Sequence, residues 1–212
     1  MRKSFILFSF LLCFGSIAFG QENVLSRIKL QAAFNLGTTT EKSGILSKTH
    51  DLVPGFSGGA LYYHKLNTEY GLESGILFNN TGMEGADPHR YKLMFNFLTV
   101  PVLFRFEITN SFQLYAGGGV SFLINAYQKN ISGPFQDVRM DLTPMFNRVE
   151  VSSILGADFN IPKSPVVIFL QAQRGHTNII DKDAIEVLIG QEFDGSLKTF
   201  TGSLGFKFYL KK

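Results

Sequence analysis

The chain has 212 residues, 45% hydrophobic and 14% aromatic, and its 20 basic and 17 acidic residues leave a formal charge of +3. A single cysteine excludes a disulfide framework, and so small a basic excess gives no argument for a nucleic-acid partner. Beyond the N-terminus no apolar run reaches the eighteen residues of a transmembrane helix, so only a closed barrel would let this chain span a bilayer.

Arg2 and Lys3 precede an apolar run from Phe5 to Phe14, and Ala18 and Gly20 place small residues just before Gln21. This is the layout of a cleaved signal peptide, too short for a membrane anchor. It divides the chain into a signal peptide at 1–20 and one domain at 21–212. Cleavage removes Cys13, Arg2 and Lys3, so the mature chain has no thiol chemistry. Its formal charge falls to about +1, and the basic pI of the precursor loses its meaning for partners.

Eight segments alternate in polarity. In the first, about Arg27 to Gly37, Ile28, Leu30, Ala32, Phe34 and Leu36 oppose Lys29, Gln31 and Asn35. The second, about Gly55 to Lys65, is blurred by Gly58-Gly59 and Tyr62-Tyr63. The third sets Tyr70, Leu72, Ile76 and Phe78 against Gly71 and Glu73. The fourth, about Tyr91 to Ile108, changes parity: Leu93, Phe95 and Phe97 are odd, Leu98, Val100 and Val102 even. A β-bulge near Phe97-Leu98 would absorb that slip, with a distortion at inward Pro101. The fifth sets Leu114, Val120, Phe122 and Ile124 against Gln113, Tyr115 and Ser121, and the sixth Val149, Val151, Leu155 and Phe159 against Glu150, Ser152 and Asp158. Val166 to Gln173 forms the seventh. The last places Phe200, Gly202, Leu204, Phe206 and Phe208 opposite Thr201, Ser203 and Lys207.

Connections alternate between long (Thr38–Pro54, Asn79–Arg90, Gln128–Asn147, Thr177–Leu197) and short (Leu66–Thr68, Thr109–Asn110, Pro162–Pro165). Short turns at one end and long loops at the other are the asymmetry of bacterial outer-membrane barrels, whose long loops lie outside the cell. The fold predicted is all-β: an eight-stranded antiparallel up-and-down transmembrane barrel in the outer membrane. Its last strand would close on its first, and Tyr62, Tyr63, Tyr70, Tyr91, Tyr127 and Tyr209 would form interfacial girdles.

Several stretches resemble the PorT-like outer-membrane β-barrel proteins. They are Leu98-Thr99-Val100-Pro101-Val102-Leu103, Tyr115-Ala116-Gly117-Gly118-Gly119, Leu155-Gly156-Ala157-Asp158-Phe159, His176-Thr177-Asn178-Ile179 and the closing Ser203 to Phe208. The resemblance implies a small Gram-negative outer-membrane barrel, one branch of whose family is associated with protein secretion. It carries no catalytic residues across.

By parity the lumen holds Lys29, Glu73, Arg105, Arg148, Glu150, Asp158 and Lys207. The lumen of an eight-stranded barrel has room for side chains alone, so these charges read as a structural network that must pair. His50, His64, His89 and His176 have no metal-ligand spacing, the acidic residues from Asp181 to Asp194 read as a solvated loop, and no cofactor is expected. The functional expectation is a non-enzymatic structural or partner-binding barrel. Its partners would be outer-membrane lipid, the barrel-assembly machinery, and a protein met by the long loops. The alternatives are a lipid-modifying enzyme using His176 with a nearby hydroxyl, and a narrow channel.

Overall fold

The computed structural model describes residues 27–43, 46–85, 90–132, 138–189 and 194–210; the signal-peptide segment and His89 lie outside them. The strands are β1 (Ile28–Ser43), β2 (Leu46–Thr49), β3 (Asp51–Lys65), β4 (Tyr70–Gly85), β5 (Tyr91–Thr109), β6 (Phe112–Asn130), β7 (Arg139–Asp141), β8 (Val149–Asn160), β9 (Val166–Gly175) and β10 (Gly195–Tyr209). A short 3-10 turn (Thr143–Met145) precedes β8, and an α-helix, α1 (Lys182–Ile189), follows β9. All but β2 and β7 form the barrel wall in chain order, each antiparallel to the next, and β10 pairs back on β1. The closing register sets Leu204 against Phe34 and Ser203 against Asn35, lipid face with lipid face and lumen with lumen. β2 folds against the far end of β1, and β7 against that of β6.

The stagger of the wall follows from the pairs. A row leaving β10 at Phe200 passes Arg174, Ser153, Gly118, Val102, Ser74, Tyr62 and Ile28, and returns at Leu210, the residue just past the end of β10. Such a shift in eight strands tilts them about 40° from the axis. Through the middle of the wall strands the outward residues are predominantly apolar and exposed, with Phe34 at 55%, Ile76 at 56% and Leu204 at 57%. Those surfaces are stable only against lipid.

The short turns are fixed by side chains that accept from the backbone. Asn67 Oδ1 takes the amides of Glu69 (2.9 Å) and Tyr70 (2.7 Å), Thr109 Oγ1 that of Phe112 (3.0 Å), and Ser164 Oγ that of Val166 (3.1 Å). In the last of these, Lys163 takes the left-handed conformation, at φ 61°.

Three expectations are corrected. The stretch Thr38–Pro54, read as a loop, is largely strand, because β1, β2 and β3 continue their ladder beyond the apolar band. The bulge falls on β6, not β5: Asn96 pairs Asn125 and Phe97 pairs Leu123, leaving Ile124 as the extra residue. β5 keeps one parity throughout, so Leu93, Phe95 and Phe97 point inward and are buried. Opposite Pro101 the β4–β5 ladder breaks between Ser74↔Val102 and Leu77↔Thr99 without a register change, and Ser74 Oγ donates to the Pro101 carbonyl at 2.7 Å. Lastly, Tyr63 does not join a girdle. It is buried on the inward parity of β3, as parity also places Tyr209 on β10, while Tyr62 and Tyr70 stay on the outer wall.

Candidate functional site

The lumen is built in layers. At the short-turn end, the inward positions of β1, β4, β5, β8 and β10 bring Lys29, Glu73, Arg105, Asp158 and Lys207 together, each at most 1% exposed. Glu73 is the hub. It accepts from Lys29 Nζ at 2.6 Å, from Lys207 Nζ at 3.3 Å and from Arg105 Nη1. Asp158 accepts from Arg105 Nη2 and from Lys207 Nζ at 3.1 Å, and Gln113 Oε1 takes a further Arg105 hydrogen at 3.2 Å. Three cations against two carboxylates leave an excess positive charge, and the cluster meets it with ring faces. Lys29 Nζ sits 4.5 Å from the Tyr63 centroid and 4.9 Å from that of Tyr209, and Tyr115 lies 4.5 Å from Lys207 Nζ. Glycine makes the space: a Cβ on Gly71 would stand 2.3 Å from the Tyr63 ring, and one on Gly156 2.3 Å from that of Tyr115.

Sequence parity placed the five charges and set Tyr115 on the inward side, but Tyr63 and Tyr209 were read as interfacial, and the role of all three rings beside the cations was not read. Glu150 is buried too, but stands apart in the long-loop half. It accepts from Thr199 Oγ1 at 2.6 Å. Arg148, expected in the lumen, is exposed. β8 begins only at Val149, so the alternation carried back to Arg148 extends past the strand.

Above the charges lies a neutral polar belt. On the opposite, outward face of the wall amides link Asn80, Asn96 and Asn125 at 2.7 Å, whereas in the belt Thr99 Oγ1 meets Ser121 Oγ at 2.8 Å and Thr81 Oγ1 meets Thr201 Oγ1 at 2.9 Å. Above that the lumen turns apolar. Inward Met83, Leu93, Phe95, Phe97, Leu123 and Leu197 pack against Phe146, Ile179 and Ile180 from the two long connections flanking β8 and β9. Phe95 and Phe146 meet edge to face at 5.0 Å.

The lid is tied down by backbone. Asn147 N donates to Ile179 O (2.8 Å), Ile179 N to Leu197 O (3.0 Å), and Asp181 N to Met145 O (3.0 Å). Thr143 donates by both amide and hydroxyl to Asp141 Oδ1, holding that carboxyl below its ordinary range. Asp181 Oδ1 accepts from Ala184 N at 3.3 Å and so caps α1.

On the outer wall His176 Nε2 lies 2.9 Å from Ser153 Oγ, and both side chains are exposed. Ser153 was not singled out in the sequence, because its partner is remote along the chain and set by the β8–β9 register. Among the described residues no group of three or more His, Cys, Asp or Glu side chains is placed to hold a metal ion.

Residues 19–181 match the family described as outer membrane protein beta-barrel domain. No curated protein gives a significant match. Among solved structures, Neisserial surface protein A shares 11% identity over 87% of this chain and 97% of its own, with a TM-score of 0.50. Ail, the attachment invasion locus protein of Yersinia pestis, shares 16% over 86% and 99% (TM-score 0.42). The outer membrane protease OmpT from Escherichia coli shares 9% over 90% and 99% (TM-score 0.46). At these identities the likeness is one of fold. With a family match over most of its length and a closed barrel whose outer wall is apolar, the chain belongs to the outer membrane protein beta-barrel domain family and resides in the outer membrane.

Proposed function

We propose that the protein is a non-enzymatic, partner-binding barrel of PorT-like type, delivered by a cleaved signal peptide at 1–20, whose long-loop end presents a fixed platform to a protein partner. The observation that carries this reading is the lid. The connections after β6 and β9 are packed onto the apolar mouth of the lumen, and Met140 (50% exposed) and Val187 (87%) are left facing out. A lumen filled with paired charges below and apolar side chains above favours surface recognition over conduction. The resemblance to PorT-like proteins ties the platform to a role in protein secretion, and the assembly machinery would meet the barrel through the closing strand β10.

The test is photo-crosslinking in living cells from positions 140 and 187, with an inward lumen position as control. A discrete protein adduct at the platform, absent from the control, is expected; none at either position would overturn the reading. A planar-bilayer recording should show no steady conductance, and a steady open state would favour the channel alternative.

A second reading is favoured by the His176–Ser153 hydrogen bond on the lipid-facing wall. There a serine hydroxyl, its proton taken by histidine, would attack an ester of an outer-leaflet lipid, break the acyl–oxygen bond with that proton passed to the departing alcohol, and leave an acyl-serine for water to hydrolyse. It requires His176→Ala to abolish a change in lipid profile that the wild-type protein produces in a null background.

A further inference from the structure

The outward positions of β9 and β10 change character toward the long-loop end, while on β8 Val151 and Val149 stay apolar beyond Ser153. On β9 the apolar series Val166, Ile168, Leu170, Ala172 gives way to Arg174, with His176 just beyond the strand end. On β10 the series from Phe208 to Phe200 ends in Lys198. That series climbs about 20 Å at the rise and tilt of such strands, close to the apolar band of about 25 Å. With the long loops outside, Arg174, His176 and Lys198 therefore stand where hydrocarbon meets the outer-leaflet headgroups. All three are exposed.

Arg174 is in register with Phe200 on one side and Ser153 on the other. Lys198 is its diagonal neighbour across the β9–β10 pair, about 7–8 Å away between backbone positions, a gap two long side chains close around one anion. No outward position on β8, β9 or β10 carries a carboxylate, so the wall offers these cations no balancing charge. Beside Arg174, and bordered by it together with Ser153 and Gln173, Ala116, Leu155, Ala172 and Phe200 line a shallow, mainly apolar groove of about 350 Å³. Cations at headgroup level beside an apolar groove match an amphiphile with a negative head.

We propose that this wall site binds an anionic, phosphate-bearing lipid of the outer leaflet. Arg174 and Lys198 clasp the phosphate, the hydrogen-bonded His176–Ser153 pair borders it, and an acyl chain lies in the groove. The site is on the wall, away from the loop platform, so it stands or falls independently of the partner-binding reading.

The test is native mass spectrometry of the folded, detergent-solubilised protein with bis-phosphorylated lipid A, the same lipid stripped of phosphate, and phosphatidylcholine. The wild-type protein is expected to retain the bis-phosphorylated lipid at least tenfold better than either of the others. The double variant R174Q/K198Q, with unchanged heat-modifiable migration, should lose that preference. A Lys65→Gln, Lys129→Gln control should keep it. Inorganic phosphate at millimolar levels should not displace the lipid; displacement would show a plain anion site and overturn the lipid assignment. Equal retention of phosphorylated and stripped lipid by the wild-type protein would overturn the proposal whether or not the double variant folds.

Discussion

The two halves of the lumen solve one packing problem with opposite chemistry. At the short-turn end the interior is filled by Lys29, Glu73, Arg105, Asp158 and Lys207, held by ion pairs and ring faces. At the long-loop end it is filled by Phe95, Phe97, Leu123 and their neighbours, held by burial. The charged half is knit from strands that cannot leave the wall, so its groups stay paired at fixed positions. The apolar half is completed by two connections, so it can form or open with them. One half belongs to the barrel, and the other makes the barrel's mouth a surface.

The sharpest way to break the charged half is through its hub. Glu73→Ala leaves three buried cations facing Asp158 alone, and refolding into lipid, followed by urea titration, should show a loss of about 3–5 kcal/mol. Replacing Glu73 and Lys29 together with Leu and Met removes charge in balance, and should recover most of that loss. If Glu73→Ala costs less than the double replacement, the pairing is not what holds this end.

The wall that encloses both halves gives the next effect. Leu204→Arg, outward in the middle of β10 and opposite Phe34, should destabilise the barrel by about 2–4 kcal/mol in the same assay. Arginine at Ser132, in the connection after β6, should be tolerated. Equal tolerance at both positions would mean that Leu204 does not face lipid.

How much of this was legible in the sequence depended on which half a residue occupies. Inside the apolar band the rule is simple: lipid selects apolar outward side chains and a narrow lumen selects polar inward ones, so parity alone placed Lys29, Glu73, Arg105, Asp158, Lys207 and the closing pairing of β1 with β10. Above the band the rule lapses. Phe95 and Phe97 are apolar and inward because the loops roof them over, and reading them as lipid-facing produced the bulge expected on β5. The continuation of β1 through Thr38, Thr39 and Thr40 carries no apolar series, since water bathes its outer side, and so looked like a loop. The His176–Ser153 contact was hidden for another reason: it depends on the register of two strands, which no local pattern encodes.

The apolar half should yield more gently than the charged one. Phe95 is fully buried and packs edge to face on Phe146. Its truncation to Ala costs about 3–5 kcal/mol in a core that must unfold as a whole, but here the lid can detach first. The measured loss of global stability should therefore be smaller, at about 1–3 kcal/mol, while proteolysis within 139–147 and 178–189 accelerates. A change in urea midpoint as large as that of Glu73→Ala, with no gain in proteolysis, would show that the lid and wall are one cooperative unit.

The smallest expected effect separates the lid's own fastening from the barrel beneath it. Asp141 accepts both the amide of Thr143 at 2.9 Å and its hydroxyl, and these bonds hold its carboxyl below the ordinary range. A carboxyl whose folded pKa is depressed stabilises the folded turn at pH above its unfolded value, about 3.9 for Asp. That contribution is lost as pH falls through the folded value. The ion-paired cluster at the other end is sealed in the lumen, so mild acid should reach the turn first. Amide exchange in 139–147, corrected for its intrinsic pH dependence, should therefore rise as pH falls below about 4 while that of β4 and β10 near Glu73 and Lys207 stays slow. Asp141→Asn should flatten the pH response of the turn without touching the barrel. If the corrected exchange of the wild-type turn does not rise on such acidification, the Asp141–Thr143 bonds do not fasten the lid, and its hold rests on the packing of Phe146, Ile179 and Ile180 alone.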